Sequence, residues 1–180
     1  MRWLFFVIIN LWVLNGALAQ GKFLAKDGYV SFFSHSLLED IKADNNQVLS
    51  IIDTDTGSIA IQLLMRSFMF KKALMQEHFN ENYVESYKYP KATFSGKIKD
   101  FDTLNRRNGK TEIVGVLSIH GRKKEISTMA MIEFINNEIV LKGEFWVEVA
   151  DFDIKIPKIV ENNIAKSIKV NFELHHKPYN

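Results

Sequence analysis

The 180-residue chain contains no cysteine. That excludes a disulfide framework, thiolate metal sites and lipid attachment through a cysteine. Proline is nearly as scarce, with only Pro90, Pro157 and Pro178, so no proline-rich linker divides the chain. Neither sign of charge dominates, since 23 Lys and Arg stand against 21 Asp and Glu. Domains that bind nucleic acid usually carry a basic stripe, and no nucleic-acid partner is expected. The short cluster Arg122-Lys123-Lys124 follows a glycine and reads as a turn. Catalytic signatures are missing as well: there is no G-x-S-x-G elbow, no G-x-G-x-x-G and no G-x-x-x-x-G-K loop.

What is present begins with "MRWLFFVIINLWVLNGALAQGK". Arg2 precedes an apolar run from Trp3 to Leu14, broken by Asn10, and Ala17-Leu18-Ala19 follows with small residues where a signal peptidase reads. This pattern predicts a secretory signal peptide over residues 1–19, cut before Gln20. The run is short for a membrane helix, which needs about 20 residues. The expected product is one domain, residues 20–180, in the periplasm or outside the cell. It must house most of 14 phenylalanines, and a large apolar interior is the simplest place.

The dominant pattern along that domain is alternation at period two. Residues 28–36, "GYVSFFSHS", read as a first strand. Residues 47–71 read as strands around the turn Asp53-Thr54-Asp55-Thr56-Gly57. "ATFSGKIKDF", "TEIVGVLSIHG" and "EISTMAMIEF" follow. Asn136-Asn137 then turns the chain into "EIVLKGEFWVEVADF", and "SIKVNFELHH" closes it. That makes about eight strands, apolar on one face and polar on the other, as in an antiparallel sheet with one wet face. Closing such a sheet removes its edges, and Gly96, Gly115 and Gly143 suit its bends. A two-sheet sandwich is the alternative. Helical periodicity covers residues 73–83, and a further helical turn is predicted around 158–165, after Pro157.

The helix carries "EHFNE", three acid–base letters in five residues. On a helical wheel Glu77 and Glu81 share the wet side, while His78 leans toward the apolar side, away from both. Catalytic zinc wants about three protein ligands, and His35, His120, His175 and His176 supply no ligand spacing. His175 and His176, adjacent in a strand, point to opposite faces. The expectation is no metal, no cofactor and no catalytic residue, with His78 packed at the helix–barrel contact.

Taken in order, "YPKATFSG" (89–96), "LSIHG" (117–121) and "DFDIKIP" (151–157) resemble the YceI-like family of secreted lipid-binding proteins. The resemblance runs from about residue 28 to 174. It implies a mainly β fold: an extended eight-stranded antiparallel barrel, lipocalin-like, with one or two short helices. It also implies a carrier or scavenger that holds a polyisoprenoid or another long-chain lipid inside the barrel and touches a membrane transiently. Where the family pattern reads Asp-Phe-Gly-Ile, this chain has Asp153 in place of the glycine. That raises the question of how the turn is formed.

On the barrel reading, the inward apolar faces carry Phe94, Ile98, Leu117, Ile119, Leu141, Phe145, Val147, Val170, Phe172 and Leu174. Phe79, Tyr83 and Tyr87 fall near the mouth. Gly96 and Gly143, on the same faces, are expected to leave room for a ligand. No Lys, Arg or Asp falls on these faces, so binding would rest on apolar burial and select for chain length. Ten buried methylenes contribute about 8 kcal/mol, from which association removes several. Three other readings stand beside this one. They are a ligand-free barrel filled by its own phenylalanines, an interaction module docking through Trp146, and an enzyme acting on a bound lipid.

Overall fold

A computed structural model describes residues 21–35, 40–104, 106–158 and 164–179. The expected signal peptide, residues 1–19, lies outside them, and so does most of the helical turn expected at 158–165. Eight long strands are present: β1 (Lys22–His35), β2 (Asp40–Asp53), β3 (Ser58–Leu64), β5 (Lys91–Ile98), β6 (Gly109–Ile119), β7 (Arg122–Ile135), β8 (Glu138–Glu148) and β9 (Ser167–Pro178). Each pairs antiparallel with its neighbours in the order β1-β9-β8-β7-β6-β5-β3-β2, and β1 pairs again with β2. That last pairing closes the ring into a barrel. A two-residue strand, β4 (Met69–Phe70), adds to the end of β2.

Turn chemistry sets the register. The β6–β7 turn is His120-Gly121 and the β7–β8 turn is Asn136-Asn137; all four residues have φ between 49° and 73°. Two-residue hairpins with positive φ at both positions match the right-handed twist of their strands. Because the first of these turns takes only two residues, Arg122-Lys123-Lys124 is not the turn expected from its charge. It is the start of β7, where Arg122 faces Ile119 and Lys124 faces Leu117 across the pair. The first half of β2, residues 40–46, is likewise a strand that apolar alternation does not mark. Ala43 and Asn45 are completely buried there. Asn45 is satisfied by donating from Nδ2 to the Leu64 carbonyl (3.1 Å) and accepting the Gln47 N–H (2.8 Å).

The interior of the lower half of the barrel is filled by side chains, and a separate pocket opens beyond it at the end holding the 53–58 and 135–138 turns, beside Thr54, Phe101 and Asn137. Ile52, Ile132, Leu141 and Leu174 have no accessible surface in the filled half. His176 is equally buried among them, while His175 faces outward beside Glu173. The His176 Nδ1–H donates to the Ile139 carbonyl (3.1 Å), and the Ser50 hydroxyl donates to Nε2 (2.8 Å). Both contacts suit a neutral ring. Burial depresses the His176 pKa from 6.5 to about 4.

A depressed histidine pKa means that the unfolded chain takes up the proton first as pH falls. The associated stability is therefore intact above pH 6.5 and lost between there and pH 4. The loss amounts to about 3 kcal/mol, from 1.36 kcal/mol per unit. Urea unfolding at pH 7 and pH 4 should show this drop, and His176→Gln should remove this part of the pH dependence along with some stability at pH 7.

Candidate functional site: an apolar cavity in the upper half of the barrel

At the other end the barrel is hollow. A cavity of about 480 Å³ occupies the upper half, within the usual range of ligand pockets. Its walls are inward side chains of the upper strands, among them Val30, Leu63, Phe94, Leu117, Phe145, Val147, Val170 and Phe172. The polar groups that the strands contribute are hydroxyls: Ser34, Thr93 and Thr128. The Ala165 N–H donates to Ser34 Oγ (2.9 Å), tying residues just before β9 to β1.

Over the opening lies α1 (Ala73–His78), whose hydrogen bonding shifts to a π-turn at residues 79–83. The expected single helix over residues 73–83 thus changes type midway. The Val84 N–H bonds to Phe79 O (3.0 Å), and Asn80 Nδ2 donates back to Gln76 O (2.8 Å). The widened turn goes with the placement of the Phe79 ring. That ring sits 5.1–5.8 Å from Phe32, Phe68 and Phe70, which also contact one another through Phe32. Aromatic pairs at such spacings contribute about 0.5–1.5 kcal/mol each beyond area burial. The cluster anchors the segment and walls one side of the cavity. Single-turn π segments are frequent at functional sites.

A second tie holds the rim. His120 contacts the Phe152 carbonyl through Nδ1 (3.0 Å) and Glu85 through Nε2 (2.8 Å), with its ring edge-on to Tyr89. The adjoining turn answers the question raised by Asp153. Its φ of 56° and ψ of 28° are left-handed, the conformation a glycine would supply most easily. Asp adopts it more readily than most residues, and its carboxylate, held below its usual pKa by Arg122, accepts from Arg122 Nη2 (3.0 Å).

Of the residues singled out from the sequence, Phe94, Leu117, Ile119, Phe145, Val147, Val170 and Phe172 line the cavity, as do Phe79 and Tyr83. Ile98, Leu141 and Leu174 face inward but are buried in the packed lower half. Tyr87 is 89% exposed on the outside, under the Arg66 guanidinium at 5.3 Å. Gly96 and Gly143 do not make room for a ligand as expected. The Phe94 ring lies over Gly96 and Gly115, and the Phe172 ring over Gly143, close enough that a Cβ would meet them at 2.5–2.8 Å. The glycines make room for the chain's own rings.

His78 is exposed at the rim rather than packed, and it lines the opening with Lys72, Leu74 and Tyr83. The cavity is therefore not bounded by apolar groups alone. Glu77 and Glu81 are exposed, as the wheel predicts. Among the described residues no group of three or more His, Asp or Glu is placed to hold a metal. Sequence reasoning missed Phe32, Phe68 and Phe70, whose signal was alternation within "SFF" and "SFMF", and also Ile154, Ile156 and Ile164 at the rim.

A family model described as YceI-like domain matches residues 20–176. Solved structures with the same fold include a polyisoprenoid binding domain from Saccharophagus degradans, with a TM-score of 0.76 and 14% identity over 88% of this chain and 99% of that one. BcnA from Burkholderia cenocepacia gives a TM-score of 0.71 and 16% identity over 82% and 95%. The YCEI protein of Campylobacter jejuni gives 0.63 and 18% over 78% and 86%. No curated protein matches the chain.

Proposed function

Because the chain belongs to the YceI-like family and its barrel holds an apolar cavity, we propose that it binds one long-chain apolar lipid. The hydrocarbon lies in the barrel and the polar end stays at the rim with Lys72, His78 and Tyr83. The protein acts as a carrier or scavenger and not as an enzyme, and it works in the periplasm or outside the cell, after loss of the leader expected at residues 1–19. The observation that carries the proposal is the cavity itself: a hollow upper half above a packed lower half, walled mainly by Val, Ile, Leu and Phe. The binding domain from Saccharophagus degradans, which shares the fold, supports it.

Exchange with a membrane follows from the same geometry. Leu74 is 61% exposed at the opening, next in sequence to exposed Lys71, Lys72 and Ala73, an arrangement suited to brief contact with an anionic bilayer surface. Delipidated protein mixed with vesicles containing labelled hexadecanoic acid should remove the label into the soluble fraction at up to one molecule per chain. A protein that takes up none would refute the proposal.

A further inference from the structure

Between β7 and β8 the barrel wall loses its ladder partway up. The pairing starts at Ile135–Glu138, beside the turn, and ends at Ala130–Gly143. Both strands run on. β7 reaches Arg122 while paired with β6, and β8 reaches Glu148 while paired with β9. Residues 122–129 and 144–148 thus border a seam across which the two strands share no backbone pairing. Ile126 and Thr128 on one side of it, and Phe145 and Val147 on the other, line the cavity. The hollow interior lies directly behind the seam.

Side chains and a turn close it. Low in the seam the Thr128 hydroxyl donates to the Glu144 carbonyl (2.8 Å), in place of a ladder N–H. At the rim, residues 149–152 form a tight helical turn that follows β8 and is tied to the start of β7. Lys124 pairs there with Asp151, Arg122 with Asp153 (3.0 Å), and His120 contacts the Phe152 carbonyl (3.0 Å). Both ion pairs face solvent, and such pairs are weak and screened by salt. The α1 side of the opening is held instead by the rings around Phe79. Parting a full ladder strands backbone N–H and C=O groups; parting the seam breaks no β7–β8 backbone pair. A free edge also invites a partner strand, but Lys123, Lys124 and Glu125 on this one are charges of the kind that blunt it.

Resting on the proposed lipid binding, we infer that lipid enters and leaves through the β7–β8 seam, with the ion-paired turn at residues 149–153 as its gate. When the turn lifts, the seam becomes a slit that runs down from the rim. The hydrocarbon then swings in along its length, while the polar end stays at the rim. It does not thread end-on past the Phe79 cluster.

The test follows transfer of labelled hexadecanoic acid and of labelled octaprenol between the protein and phosphatidylcholine vesicles, in both directions. Arg122→Ala with Lys124→Ala unties the turn. Uptake and release should both become about three- to tenfold faster, while their ratio stays within about twofold. High salt should speed octaprenol transfer by the unsubstituted protein toward the same rates. The opposite change comes from Glu125→Cys with Glu148→Cys, exposed positions that the register would set opposite each other had the ladder continued. The chain has no cysteine of its own, so a short bifunctional maleimide bridges these two sites alone. The bridge should slow both directions about tenfold or more, again with little change in their ratio. Rates that stay within about twofold in both variants, or that change only along with the ratio, overturn the gate and leave lipid binding intact. If neither lipid binds the unsubstituted protein, lipid binding itself fails.

Discussion

Phe145→Asp is expected to abolish lipid uptake while leaving a folded barrel. Phe145 lines the cavity and its ring stands 6.3 Å from that of Phe172, tilted by 52°. A carboxylate there faces hydrocarbon when the cavity is filled and water when it is empty. Burying a polar group without a partner costs about 2–7 kcal/mol, and nearly all of that falls on the bound state. A loss of at least about 30-fold in Kd follows, since each 1.4 kcal/mol is tenfold. The neighbouring residue supplies the control. Trp146 is 62% exposed on the outer face of the same strand, so Trp146→Ala should leave Kd within about twofold, surface changes of this kind usually being worth under about 0.5 kcal/mol. If Trp146→Ala abolishes function and Phe145→Asp does not, the outer face is the working surface and the docking reading replaces the carrier. Circular dichroism and the melting midpoint of each variant separate lost binding from lost folding.

Gly96→Val should destroy the fold. A Cβ at Gly96 would stand 2.2 Å from the Val114 carbonyl oxygen and 2.8 Å from the Gly115 Cα. Both obstacles are backbone of the paired strand β6, so no side-chain rotation relieves them. The Phe94 ring, also 2.8 Å away, would be lifted off its seat. Overpacking ordinarily costs about 1–3 kcal/mol; a collision with paired backbone in a closed ring exceeds that, and about 4 kcal/mol or more is expected. That is a large part of the 5–15 kcal/mol holding a typical domain together. Insoluble expression or a greatly lowered urea midpoint is the predicted outcome. Gly109 is the contrast: a Cβ there meets nothing within 4 Å, and Gly109→Ala should be neutral or stabilising by about 0.4–1 kcal/mol. Equal tolerance at both positions would contradict the close approach of β5 and β6.

The barrel was legible because the period-two signal and the turn residues agree. In β8, Ile139, Leu141, Gly143, Phe145 and Val147 alternate with Lys142, Glu144, Trp146 and Glu148, and the structure turns the first set inward. Asn136-Asn137 announced the turn before it. The first half of β2 was not legible, since its inward positions hold Ala43 and Asn45, one small and one polar, and only the hydrogen bond to Leu64 shows why Asn45 belongs there. Nor was the depth of the cavity. Leu141 and Leu174 in the filled half have the same chemistry as Val147 and Val170 around the cavity, so alternation alone cannot tell packed interior from hollow interior. The acid–base letters of "EHFNE" misdirect attention for a related reason. The residue among them that does most for the architecture is Phe79, through three ring contacts.

The central claim is that the hollow half of this barrel carries a lipid. Native mass spectrometry of the protein, purified under conditions that spare bound lipid, tests it most directly. The account predicts a population heavier than the bare chain by the mass of one single-chain lipid, released on organic extraction and lost in Phe145→Asp. A spectrum showing only the bare chain, both as purified and after incubation with hexadecanoic acid, would contradict it.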